Sequence, residues 1–263
     1  MIRLLGQRCL LAIRCFSSIT QYSSLIDDPE ERCKSTSFLP VAGFFFGSLA
    51  MVCYLAFAFW FGTGFACFIS LSVLTFFYSG GRLYGCLRVA DRILISKGWT
   101  FKNRNRIRSE RGSFRSVFLF FILTLKFFAL LHVGQGWIPN MLVLMPTISA
   151  WSYIYLAHSL ASTQAEEVGP FLHIRFVGNF QFWVGTIFTT AVATFFMGLE
   201  GLFFLMFLSL GTVVFERFVI NRNKKFLGNI LGVMMEVNEL GLLLIAILMR
   251  DGFLARTTTG IMA

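Results

Sequence analysis

Runs of about 20 mostly apolar residues follow one another along almost the whole chain. They are Phe38–Trp60, Phe61–Gly80, Ser113–Val133, Trp137–Ala157, Phe176–Met197, Gly198–Val219 and Ile230–Met249. A helix rises about 1.5 Å per residue, so about 20 such residues cross a ~30 Å hydrocarbon layer. Each run is therefore a candidate span. A soluble alternative meets an obstacle in composition. The 263 residues are 56% hydrophobic and only 14% charged, with 33 Phe, whereas an ordinary soluble domain is about 25% charged. So much apolar surface would aggregate in water. The expected fold class is all-α, a multi-pass transmembrane helix bundle of about seven spans. An eight-span count is the alternative, through a shift or merger around the fifth and sixth runs.

The connections between runs alternate in charge. Trp60–Gly64 and Gly134–Gly136 carry none, and Gly198–Gly201 holds only Glu200. The intervening connections are basic: Arg82–Arg115 holds ten Lys or Arg, and Arg217–Lys225 holds four. Short loops rich in Lys and Arg stay cytoplasmic. This predicts a cytoplasmic N-terminus, a transmembrane domain over 37–250 with cytoplasmic basic loops at 81–115 and 217–229, and an outer tail at 251–263. By parity the Ser159–Arg175 loop is also inside. The net charge of +10 then reflects basic loops at an anionic membrane surface rather than nucleic-acid binding.

Residues 1–36 place Arg3, Arg8 and Arg14 among Leu and Ile, with no acid before Asp27. That pattern fits an interfacial amphipathic segment; an organelle transit peptide, Arg-rich and acid-poor, is the competing reading. The six cysteines (Cys9, Cys15, Cys33, Cys53, Cys67 and Cys86) show no paired spacing, which predicts neither a disulfide framework nor a zinc site.

Four places gather polar chemistry. In Gly80–Arg92, just after the second run, glycines let backbone approach a ligand and arginines offer paired donors to phosphate; the plainer reading is a positive flank to a span. Arg104–Phe114 is densely basic and suits phosphate or anionic lipid. Beyond Gly228–Gly232, Glu236 and Glu239 stand three residues apart on one helix face. Acids there need a partner. A hard divalent cation such as Mg²⁺ is one solution, and pairing with Lys126 or a loop arginine is the other. Finally, His158, Glu166, Glu167 and His173 surround the Ser159–Arg175 loop, with the histidines too far apart for a local metal pair. Walker, nucleophile-elbow and dinucleotide-binding patterns are missing.

Taken in order, several pieces resemble the cobalamin synthase family, adenosylcobinamide-GDP ribazoletransferase. Leu11–Phe16 is similar to its opening, and Phe38–Gly43 with Gly47 to its first span. Gly80, Gly85, Ala90 and Asp91 match a glycine- and aspartate-rich stretch after the second span. Leu125–Leu130 is similar to a Leu-Lys-Phe-x-Ala-Leu piece. Gly228, Leu231, Gly232, Glu236 and Glu239 match the closing motif. There are departures. Arg82 stands for the family's His, Tyr84 and Arg88 for two Asp, and Asn229 for a late Asp. Ile107–Arg115 keeps Ser109, Gly112 and Phe114 of another piece, with acid and base exchanged.

The resemblance implies a membrane-bound, phosphotransferase-type enzyme that joins adenosylcobinamide-GDP to α-ribazole or its 5′-phosphate. GMP leaves, Mg²⁺ assists, and the setting is the bacterial cytoplasmic (inner) membrane. It implies Asp91 as catalytic residue and metal ligand, with Glu236 and Glu239 as further metal ligands. Gly80, Gly85, Gly112, Gly228 and Gly232 would contact substrate, and Arg88, Arg108 and Arg111 would contact its phosphates. Replacing Asp by Arg exchanges a metal ligand for a repelling charge, so a degenerate member that keeps the fold without ribazole transfer is the main rival. A small-solute transporter is the unrelated alternative.

Overall fold

The computed structural model describes residues 12, 35–78, 86–87, 104–161, 177–220 and 227–261. Among these, every regular element is helical. Helix α1 (Leu39–Tyr78) follows a 3-10 turn at Thr36–Phe38. It is succeeded by α2 (Arg104–Val133), α3 (Ile138–Ala161), α4 (Asn179–Met197) and α5 (Leu199–Phe215). A π-helical turn, Glu216–Ile220, extends α5, and α6 (Leu227–Ile261) closes the bundle. Most described residues of each of the seven apolar runs are helical, and the molecule is a multi-pass helical bundle.

The 40 residues of α1 would reach about 60 Å if straight, twice the hydrocarbon thickness. Instead Gly62 adopts φ 79° and ψ 168°, backbone that only glycine takes without strain. The two limbs fold back, and Phe46 stacks on Phe77 with ring centroids 4.8 Å apart. The first two predicted spans are thus the limbs of one hairpin, with the break at Gly62 rather than after Trp60.

Five stretches are long and apolar enough to cross a membrane: Thr36–Phe77, Ser116–Val133, Asn179–Met197, Leu199–Phe218 and Leu231–Asp251. The predicted fourth span is not among them. Asn140, Pro146, Thr147, Ser149 and Ser152 interrupt its apolar run, and α3 occupies the centre of the bundle, packed against all five other helices. There its polar side chains meet protein rather than lipid. Buried hydroxyls return to their own helix, as in Thr147 Oγ1 to Val143 O at 2.7 Å and Thr212 Oγ1 to Leu208 O at 2.7 Å. Away from this core, Phe59, Trp60, Phe120 and Phe195 point outward, where a bilayer covers them.

Small residues set the closest approaches. A Cβ on Gly43 would collide with the Pro146 carbonyl, and one on Gly47 would lie 2.8 Å from Leu142 O and Val143 Cα. Gly43 and Gly47 thus form the small-xxx-small ridge on which α1 seats against α3. Pro146 has no N–H to bond within α3.

The turns fall into two classes. Gly62, Gly134 (φ 98°) and Gly198 (φ 59°) reverse the chain within a few residues. Gly198 alone separates α4 from α5. Asn140 Nδ2 donates to Phe196 O at 3.0 Å, tying the Gly134 and Gly198 turns at one end of the bundle. Gly62 lies toward the same end, since the first limb of α1 runs antiparallel to α3. The helix ends that adjoin the longer connections, Tyr78, Arg104, Ala161 and Leu227 among them, lie at the opposite end. The basic stretch 81–115 is helical from Arg104 onward, and the expected tail continues α6 to Ile261.

Candidate functional site

Between α2, α3 and α6, halfway along the bundle, four polar side chains meet. Lys126 Nζ on α2 donates to Glu236 Oε2 and, at 2.6 Å, to Glu239 Oε2 on α6. Ser149 Oγ on α3 donates to Glu239 Oε1 at 3.0 Å. Lys126, Glu236 and Glu239 are only 5%, 3% and 2% exposed, so water does not solvate these charges. The spacing of three residues puts both carboxylates on the same side of α6, and the single ammonium bridges them. Next to this triad, Asn238 Nδ2 donates to Thr212 Oγ1 at 3.2 Å, so α5 joins the same polar layer.

The structure therefore contains the second of the two solutions open in the sequence: the glutamate pair is bonded to Lys126. This donor set does not fit a divalent cation. Mg²⁺ requires carboxylate oxygens about 2.0–2.1 Å away in near-octahedral array, but Oε2 of both glutamates and Oε1 of Glu239 already accept from Lys126 and Ser149. A dication about 4 Å from an ammonium would also meet about 8 kcal/mol of repulsion at an effective dielectric of 20.

Other predicted site residues are distributed as follows. Gly232 is buried in the first turns of α6, and Gly228 lies one residue into that helix. Arg108, Arg111 and Gly112 belong to the N-terminal turns of α2, on the helix that carries Lys126. Their side chains, with Gly80, Gly85, Arg88 and Asp91 entirely, lie outside the described residues, as do Glu166, Glu167 and His173. Among the described residues, no cluster of three or more His, Cys, Asp or Glu gathers. Among the described residues, Cys53, Cys67 and Cys86 form no disulfide.

A second polar group sits at the charged end. Ser159 Oγ, at the end of α3, donates to Glu216 Oε1 in the π-turn after α5, and Tyr155 lies against the same carboxylate. His158 is held by Val177 O at 3.1 Å and stacks on Phe182 with centroids 5.1 Å apart. His158 thus joins α3 to α4. The sequence reading missed Ser149 and Glu216. Ser149 carried a signal, since hydroxyls recur at Thr147, Ser149 and Ser152 in an otherwise apolar run; Glu216 carried none, being one acid beside a basic loop.

The model of the family described as cobalamin-5-phosphate synthase matches residues 8–247. The chain belongs to that family. Cobalamin synthases are membrane-bound transferases of cobalamin biosynthesis, and the bundle with its apolar helices agrees with that setting. The adenosylcobinamide-GDP ribazoletransferase of Alkaliphilus metalliredigens (strain QYMF) is 24% identical over 250 residues, covering 90% of this chain and 96% of the relative. No solved structure matches. Lys126 lies in one of the pieces by which the sequence resembles the family and both glutamates in another, so two such pieces, about 110 residues apart, meet in the fold.

Proposed function

We propose that this chain transfers α-ribazole, or its 5′-phosphate, onto adenosylcobinamide-GDP in the bacterial cytoplasmic membrane. An oxygen of the ribazole unit attacks the phosphoryl group attached to cobinamide. The new P–O bond forms as the bond to GMP breaks, and the attacking hydroxyl's proton passes to solvent. The products are adenosylcobalamin, or its phosphate, and GMP. The observation that carries this reading is the meeting of Lys126 with Glu236 and Glu239, because it joins the family's retained pieces in one core. The end bearing the long connections faces the cytoplasm, where nucleotide-activated substrate is available.

Arg108 and Arg111, at the start of α2, meet substrate phosphate, with Arg88 acting from the adjoining stretch. Positive groups aimed at a phosphoryl group stabilise charge that develops during transfer. Gly80, Gly85, Gly112, Gly228 and Gly232 leave room for backbone approach. The Mg²⁺ implied by the resemblance would draw on Asp91 and the substrate's own phosphates, since the glutamate pair is taken by Lys126.

Membranes containing the chain, supplied with adenosylcobinamide-GDP, α-ribazole and Mg²⁺, are expected to form the cobalamin product above membranes lacking it. No product from folded, inserted protein would overturn the reading. It would favour the degenerate member, which the replacement of two acids by Tyr84 and Arg88 supports. Tyr84→Asp with Arg88→Asp then decides the cause: restored turnover assigns the loss to those ligands.

A further inference from the structure

We infer that Lys126, and not a divalent cation, is the standing counter-ion of Glu236 and Glu239. The argument rests on geometry and charge. An ammonium with three donors can serve both Oε2 atoms at once, and it does so from a different helix, with bonds to Glu236 and to Glu239 at 2.6 Å. Ser149 takes a third carboxylate oxygen. All the participants are enclosed by protein, so an ion entering this layer would have to displace the lysine and break both bonds. A carboxylate pair of this kind near the centre of a membrane domain is stable only with its charge answered, and Lys126 supplies that answer from within the chain. The triad therefore divides the family's acidic residues here into two sets. The closing glutamates belong to the scaffold's own ion network, and any cation needed for transfer is held elsewhere. The inference stands whether or not ribazole transfer is catalysed.

The test uses the full chain in lipid nanodiscs and Mn²⁺ as the probe, with free ion read by electron paramagnetic resonance. Glu236→Gln and Glu239→Gln are expected to leave Mn²⁺ binding unchanged, whether the wild type binds the ion or not. Loss of affinity by about tenfold or more in either variant would overturn the inference. Thermal unfolding supplies an independent arm. Lys126→Met leaves two unanswered carboxylates and is expected to lower the midpoint by about 10 °C or to prevent folding. Adding Glu236→Gln to it removes one of those charges and is expected to recover part of the loss. A double variant no more stable than Lys126→Met alone would show that the lysine acts by packing rather than as counter-ion, and would sink the proposal.

Discussion

The two ends of the bundle are built on different principles. At one end the chain reverses at Gly62, Gly134 and Gly198, each with positive φ. The α4–α5 pair turns on Gly198 and packs so tightly that a Cβ on Gly201 would collide with the Ala193 carbonyl. Arg250 covers this end of α2, donating from Nη1 to His132 O at 2.6 Å and lying against Gly134. The opposite helix ends adjoin the longer connections, of which 79–103 and 221–226 are basic in sequence; α2 carries Arg108 and Arg111 beyond its apolar part, and α5 ends in a π-turn. Short glycine turns leave no chain to spare for recognition, while long connections on a rigid frame are where binding groups accumulate. Stability should thus reside at the glycine end and specificity at the charged end, with the Lys126 triad midway.

Substitutions at each end can break that comparison. Gly201→Leu should have the largest effect, at about 3 kcal/mol or more, because the added side chain meets backbone that cannot yield. It would be read as loss of monodisperse protein in nanodiscs. Gly198→Val follows, at about 2 kcal/mol, from strain at a positive φ that a β-branched residue resists. A thermal midpoint equal to wild type would show that the α4–α5 turn tolerates another conformation. Arg250→Ala, which loses one charge-assisted bond at an exposed site, should cost about 1 kcal/mol and leave ribazole transfer per folded molecule unaltered. At the other end, Arg108→Ala with Arg111→Ala should change stability by less than about 0.5 kcal/mol while lowering kcat/KM for adenosylcobinamide-GDP about 100-fold. If that pair destabilised the fold instead, or left transfer intact, the assignment of specificity to the charged end would fail.

How much was legible beforehand differs between fold and site. Apolar run length and alternating loop charge are local properties, so the helical segments stood out with boundaries soft by a few residues. The position of the α1 break was not fixed by hydropathy, since Trp60, Phe61 and Gly62 are all compatible with a membrane; positive φ singles out Gly62. The fourth run read as an ordinary span, yet α3 is the hub, because its hydroxyls and Pro146 are acceptable only where other helices enclose them. At the site, the spacing of Glu236 and Glu239 placed both on one helix face, but the sequence left open a divalent cation or pairing with Lys126 or a loop arginine.

The sequence alone determined that this chain lives in a membrane, that it is helical, and which family it belongs to. Those conclusions rest on composition, run length and residue order along the chain. Only the tertiary structure brings Lys126 to the glutamate pair. Lys126 is 110 residues from Glu236 and 113 from Glu239. Whether it reaches them depends on how α2 is seated beside α6, which follows from helix packing and from no local pattern of residues.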